Sequence, residues 1–172
     1  FHKNLNKRYS LTIGIVKLNL IICIVKNQLI KLIMSTKEQF IKLLNKALEW
    51  EFAAAIQYVQ HAAVITGPEY DAISAELIIH SNEEMIHAVS VSNIIADLGA
   101  IPSIDVEKRE VSENPKEMLE QDLAGEELAI KIYKELIGMS EQLGEYGKRR
   151  LLEDILMDEE EHRRDILASL GK

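Results

Sequence analysis

The sequence predicts an all-α protein, one bundle of four helices with a single long crossover between the second and third. Three observations point there. Apolar residues make up 47% of the 172-residue chain, with three prolines and eight glycines, which suits a few long helices better than many short strands. From Ser35 onward the apolar residues recur at the three- and four-residue spacing of helices that bury one face. The breaks between these stretches come in the order short, long, short. A chain of this length supports one domain with a sizeable core, but not two.

The first helix is expected to open at Ser35, where Glu38 completes a capping-box pattern. Leu44, Leu48, Ala55 and Tyr58 mark its buried face, and it should end near Ile65, ahead of Gly67-Pro68. Pro68 suits the first position of a second helix, which runs to Leu98 and is closed by Gly99. Asn114-Pro115-Lys116-Glu117 opens the third with a cap, a proline at the first position and a capping-box Glu. Gly144 and Gly147 bracket a turn, and the fourth helix runs to about Ser169, before Gly171. Short links make neighbouring helices antiparallel. The polar stretch 100–114 contains Pro102 and no clear element. Extended, it spans roughly 50 Å, enough to run the length of the bundle and return the chain to its starting end. A simple up-down-up-down bundle would not need it.

Residues 1–33 read differently. Six are Lys or Arg, none is Asp or Glu, and 22 are Ile, Leu, Asn or Lys. The apolar run Leu11–Val25 is interrupted by Lys17 and Asn19, falls short of a membrane span of about 20 residues, and is followed by no small-residue cleavage site. These residues are expected to lie outside the fold, upstream of a start at Met34, so that the domain is 34–172. No membrane partner is expected. The single cysteine, Cys23, leaves no disulfide framework and no four-cysteine metal ribbon, which points to the cytoplasm.

The net charge of −8 conceals a body carrying 14 basic and 28 acidic residues beyond position 33. Such a body disfavours direct nucleic-acid binding and suits the attraction of cations. Aromatic content of 5% likewise gives little support to base stacking.

Apolar stripes should exclude charge, because burying an unpaired carboxylate is strongly unfavourable. All four stripes here contain it. Glu51 is in phase with Leu44, Leu48, Ala55 and Tyr58. Glu84 and His87 are in phase with Leu77, Val91 and Ile94. Glu126 falls with Leu119, Ala129, Ile130 and Tyr133, while Glu159 and His162 fall with Leu152, Ile155 and Ile166. At about 1.5 Å per residue from the nearest turns, all six lie at mid-bundle height. A Glu-x-x-His pair puts both side chains on one helical face. One Glu from each of two helices, with Glu-x-x-His from each of the other two, is the ligand set of di-iron carboxylate bundles. Carboxylate oxygen with imidazole nitrogen suits iron or manganese. A lone Glu-x-x-His, or the run Asp158-Glu159-Glu160-Glu161, would read as a solvated acidic face; six positions agreeing in order, phase and height do not.

At these residues the chain resembles bacterioferritin, within the ferritin-like superfamily. The resemblance is carried by Leu44-Asn45-Lys46-Ala47-Leu48-Glu49-Trp50-Glu51 with Gln57-Tyr58 and His61, and by Glu84-Met85-Ile86-His87-Ala88. Further on it is carried by Glu117-Met118-Leu119 with Asp122-Leu123-Ala124 and Glu126, then by Asp154-Ile155-Leu156, Asp158-Glu159-Glu160 and His162. It implies a ferritin-like bundle holding two iron ions per chain on Glu51, Glu84, His87, Glu126, Glu159 and His162. It implies a ferroxidase that oxidises Fe(II) with O2 or H2O2 for iron storage and detoxification, within a homo-oligomeric cage or shell. Tyr58 matches a tyrosine able to supply an electron. Met85 matches the methionine through which two subunits hold haem b.

Departures keep two rivals open, a rubrerythrin-like peroxidase without storage and a mini-ferritin-like protective shell. Ten residues follow His162, too few for the family's short fifth helix, which leaves the size of the assembly open. The family's inner-surface histidine is replaced by Ile79, with His80 and Glu83 nearby as partial substitutes. Rubrerythrins carry a further carboxylate one turn beyond the third-helix Glu, where Ala129 and Ile130 stand here. Trp50 is expected to serve packing, and His2, His61 and His80 are not expected to be ligands.

Overall fold

The computed structural model describes the backbone of residues 2–172, and side chains from residue 36 onward together with those of residues 25, 26, 28, 29 and 34. It contains α1 (His2–Val64), α2 (Asp71–Asp97), α3 (Pro115–Gln142) and α4 (Tyr146–Ser169), and no strand among the described residues. The chain divides into two compact units, 1–38 and 39–172, and the four-helix bundle and its site lie in the second.

The helix ends are set by local chemistry. Gly67 holds φ at 132°, and Pro68–Tyr70 forms a short 3-10 turn before α2. At the end of α2, Gly99 takes φ of 82°, so that its own N–H reaches Ala96 O and the Ala100 N–H reaches Ile95 O. Gly144 repeats this after α3, with φ of 72° and bonds to Glu141 O and Ser140 O. This paired closure needs a left-handed residue, which glycine adopts without strain. At the start of α3, Asn114 Oδ1 accepts from the Lys116 and Glu117 amides, at 3.0 and 3.2 Å. Glu117 does not reach back to the cap directly. Its carboxylate accepts the Ser112 hydroxyl, whose oxygen in turn accepts the Asn114 amide.

Three expected boundaries differ. α2 begins at Asp71 rather than Pro68, which opens the 3-10 turn ahead of it. α1 begins at His2 rather than Ser35. No proline interrupts residues 2–64, so the Ser35–Glu38 pattern falls inside a helix whose amides are already taken by the preceding turn, with nothing left to cap. Gly147 lies in the first turn of α4 rather than in the preceding loop.

Pairings between elements give the topology. The Ser103 amide donates to Asn45 Oδ1 at 2.7 Å, the Glu107 amide to Glu49 O at 3.2 Å, and Gln57 Nε2 to Glu110 O at 2.7 Å. Partner numbers rise together, so the crossover runs parallel to α1 and returns the chain to the end where α2 began. α3 then runs antiparallel to α1, with Asp122 against His61, Glu126 against Tyr58, and Tyr133 against Glu51. α4 runs antiparallel to α2, with Asp158 against His87, His162 against Glu83, and Asp165 against His80. This is the four-helix bundle with one long crossover that the sequence predicts.

The core is divided along the bundle axis. One apolar cluster gathers Phe40, Leu44, Leu48, Val91, Ile94, Tyr133, Leu136, Leu152 and Ile155. A second gathers Tyr58, Leu77, Leu119 and Ile166. Between them lies a layer of buried carboxylates and imidazoles.

Candidate metal centre

The six sequence-predicted residues form that layer. Glu51 and His87 are 3% exposed, and Glu84, Glu126, Glu159 and His162 are 1% exposed, so all are shut away from solvent. Their ligating atoms fall into two overlapping groups. Glu51, Glu84, His87 and Glu159 form one; Glu84, Glu126, Glu159 and His162 form the other; within each, the atoms lie within 4.8 Å of one another. Glu84 and Glu159 belong to both groups. Glu51 with His87, and Glu126 with His162, stand at the two ends, each pair in one group only.

Both imidazoles turn Nδ1 inward. His87 Nδ1 lies 3.1 Å from Glu159 Oε1, 3.2 Å from Glu84 Oε2 and 3.5 Å from Glu51 Oε2. His162 Nδ1 lies 3.3 Å from Glu84 Oε1 and 3.7 Å from Glu126 Oε2. Glu51 Oε2, Glu84 Oε1, Glu126 Oε2, Glu159 Oε1 and His162 Nδ1 are buried and have no hydrogen-bond partner. Buried polar atoms are ordinarily satisfied. Five orphans converging from four helices fit cations, and four ionised carboxylates would balance two divalent ions. The oxygen-rich, nitrogen-containing donor set suits iron or manganese.

A second set of residues holds the first, and it is reciprocal. Tyr58, seven residues after Glu51 on α1, donates its hydroxyl to Glu126 Oε1 on α3. Tyr133, seven residues after Glu126 on α3, donates to Glu51 Oε1 on α1. His87 Nε2 meets Asp158, the residue before Glu159, at 3.3 Å. His162 Nε2 meets Glu83, the residue before Glu84, at 2.9 Å. Each terminal carboxylate therefore has one oxygen fixed by a tyrosine and one left free. Each imidazole is oriented by an acidic partner behind it, the usual support of a metal-bound histidine. Sequence reasoning did not assign Tyr133, Glu83 and Asp158 to this role. The signal was present as a repeat, Glu-x6-Tyr on α1 and α3 and acid-Glu-x-x-His on α2 and α4.

The other singled-out residues separate. Tyr58 is fully buried beside Glu126, and Met85 is 46% exposed on the outer side of α2. Trp50 packs against the guanidinium of Arg109. His61 is fully buried and pairs with Asp122 at 2.9 Å, away from both ligand groups. His80 stacks on His162 with ring centroids 4.2 Å apart. The side chains of His2 and Cys23 lie outside those described.

In the metal-free protein, protons take up the charge. Burial and the neighbouring Glu84 charge push Glu51 up to about 8. Burial and the charges of Glu84 and Glu51 push Glu159 well above its usual range. Burial works against a charged His162, but the carboxylates of Glu126 and Glu84 beside its ring prevail and push it up to about 12. His87 is raised in the same way by Glu159 and Glu51 against its burial. Glu84 goes the other way: its burial is outweighed by the neighbouring imidazoles of His162 and His87, which hold it below the usual carboxylate range.

The sign of the pH dependence follows. Glu51 binds its proton more tightly folded than unfolded, so its contribution falls as pH rises from 4.5 to about 8. The contribution of His162 is complete below 6.5 and is lost as pH rises toward about 12. Glu84 contributes above 4.5 and is silent in this window. Chelator-treated protein should therefore melt at a lower temperature at pH 9 than at pH 6, measured by circular dichroism. An equal or higher melting temperature at pH 9 would contradict this charge assignment.

Comparison with known proteins agrees with this geometry. Residues 41–172 match the family model of the ferritin-like domain. A bacterioferritin of Brucella melitensis is 33% identical over 146 residues, covering 81% of this chain and 91% of that protein. A bacterioferritin of Rhodobacter capsulatus is 31% identical, covering 75% and 81%. A solved ferritin-like, diiron-carboxylate protein from Bacillus anthracis superposes with a TM-score of 0.76 at 26% identity, covering 78% of this chain and 97% of that one. The chain belongs to the ferritin-like family, with bacterioferritins among its homologues.

Proposed function

We propose that this protein is a di-iron ferroxidase that takes up two Fe(II) per chain and oxidises them with O2 or H2O2, serving iron storage and detoxification. The observation that carries this reading is the pair of overlapping ligand groups sharing Glu84 and Glu159, with their free oxygens turned toward one another. Glu51 and His87 hold one ion, Glu126 and His162 the other, and the two shared carboxylates keep them side by side. Two Fe(II) supply two electrons. With two protons these reduce O2 to H2O2, or H2O2 to two waters. The protein supplies position and charge compensation, and the substrate ions supply the redox chemistry.

In this reading Tyr58 supplies a further electron. A phenol that gives up an electron also gives up its proton, and Glu126 Oε1 stands ready to accept it. Burial, then the charges of Glu126 and Asp122, hold its hydroxyl in the protonated form.

The active form is a homo-oligomer in the cytoplasm. Its support is the set of exposed apolar side chains on α1 and α2, among them Ile56, Val59, Ile86 and Val89. No described helix is long and apolar enough to cross a membrane. Met85, exposed on α2 and off the ligand face, would hold haem b together with a second copy; haem would supply a path for electrons.

Glu51→Ala, Glu126→Ala and His162→Ala should each abolish rapid Fe(II) oxidation with the helical circular dichroism unchanged. Wild-type rates in all three would overturn the assignment. Tyr58→Phe should bind iron normally but react more slowly with O2 than Tyr133→Phe does. Equal slowing in the two would reduce Tyr58 to positioning Glu126.

Protein expressed with excess haem should show the visible spectrum of bis-methionine ligation, lost in Met85→Leu. Its absence from wild type, or survival in the variant, would remove Met85 from that role.

A further inference from the structure

Among the described residues, two gaps in the bundle reach toward the carboxylate layer, and they are built oppositely. Between α2 and α4 lies a cavity of about 70 Å³. Its wall carries Glu76, Glu83, Asp158, Glu161 and Asp165 beside the buried rings of His80 and His162. Glu76 and Asp165 are about half exposed and stand at the outside. The wall leads directly to the candidate ligands, since Glu83 meets His162 and Asp158 meets His87.

Between α1 and α3 the space is about 10 Å³, room for about one water. Its floor is Glu51, Glu84, Glu126 and Glu159, and its rim is Trp50, Ala54, Gly125, Ala129 and Arg109. Three small residues would leave this mouth open. Arg109, reaching in from the crossover, fills it. Its Nε donates to Gln57 Oε1, and its guanidinium carbon lies 5.6 Å from the centre of the Trp50 ring. Gly125 is the counterpart on α3. A Cβ there would lie 2.9 Å from Arg109 Cζ and nearer still to its terminal nitrogens. Glycine weakens a helix interior, and here its missing side chain is the space that the guanidinium occupies.

We propose that Arg109 is a cationic stopper that closes the α1–α3 gap to metal cations, so that Fe(II) reaches the centre through the acidic α2–α4 mouth. The guanidinium both fills the opening and repels a divalent ion. On the other face five carboxylates attract one, and attraction of this kind raises arrival rates.

This inference rests on the reading of the layer as a divalent-cation site, and the test separates the two. Co(II) under anaerobic conditions, where no oxidation follows binding, serves as the probe, and its absorbance reports filling of the centre in a stopped-flow instrument. Wild type should bind two Co(II) per chain. The double variant Glu76→Gln/Asp165→Asn should reach the same stoichiometry about tenfold more slowly. Adding Arg109→Ala to that double variant should restore most of the wild-type rate. Arg109→Gln keeps most of the side chain without its charge, and should also speed filling if the alanine disturbs the crossover. A double variant as fast as wild type would overturn the α2–α4 route. Persistently slow filling in both triple variants, with two Co(II) still bound, would overturn the stopper. A wild type that binds no Co(II) would sink the metal-site reading beneath both.

Discussion

A layer of buried carboxylates and imidazoles across the middle of a helical bundle is the constraint on which the rest of this structure depends. Left uncompensated, each buried charge would cost several kcal/mol, a large part of the net stability of a domain this size. The bundle meets that cost in two ways. Apolar clusters on either side, around Leu48 and Leu136 and around Tyr58 and Leu77, exclude water and fix the helices. Within the layer, protons on Glu51, Glu159 and the two imidazoles offset part of the negative charge. Those protons stand where metal charge would stand, so cation binding and proton release are coupled there.

Reciprocity organises the layer. Glu51 leans on Tyr133 and Glu126 leans on Tyr58, each from the facing helix. His87 and His162 are likewise steadied by the acid that precedes the other's Glu partner. Every cross-link needs α1 antiparallel to α3 and α2 antiparallel to α4. The long crossover makes that arrangement possible by running beside α1 from Asn45 to Gln57 before α3 begins. The connection that fixes the topology also delivers Arg109 to the outer edge of the layer.

The candidate ligands were legible because helical phase is a property of each segment alone. Glu51, Glu84, Glu126 and Glu159 could be placed on buried faces from the spacing of Leu48, Val91, Leu119 and Ile155 before any helix met another. The terminators Gly99 and Gly144 and the cap Asn114 were legible for the same reason, being set by local backbone chemistry. Contacts between helices were not. Tyr133 reads as an ordinary core residue until α3 lies against α1, and the contacts of Asp158 with His87 and of Glu83 with His162 exist only once α4 lies against α2. Arg109 sits in an irregular segment with no period to read, and its position follows from Gln57, Trp50 and the missing side chain of Gly125 together. The Ser35–Glu38 motif misled because a capping pattern acts only where a helix begins, and α1 is already helical there.

Anomalous diffraction at the iron edge, from crystals grown anaerobically with Fe(II), tests the central claim most directly. The account predicts two peaks per chain, roughly 3.5–4 Å apart, flanked by the carboxylates of Glu84 and Glu159, with His87 beside one and His162 beside the other. A single peak, or iron bound away from these six side chains with the layer empty, would contradict it.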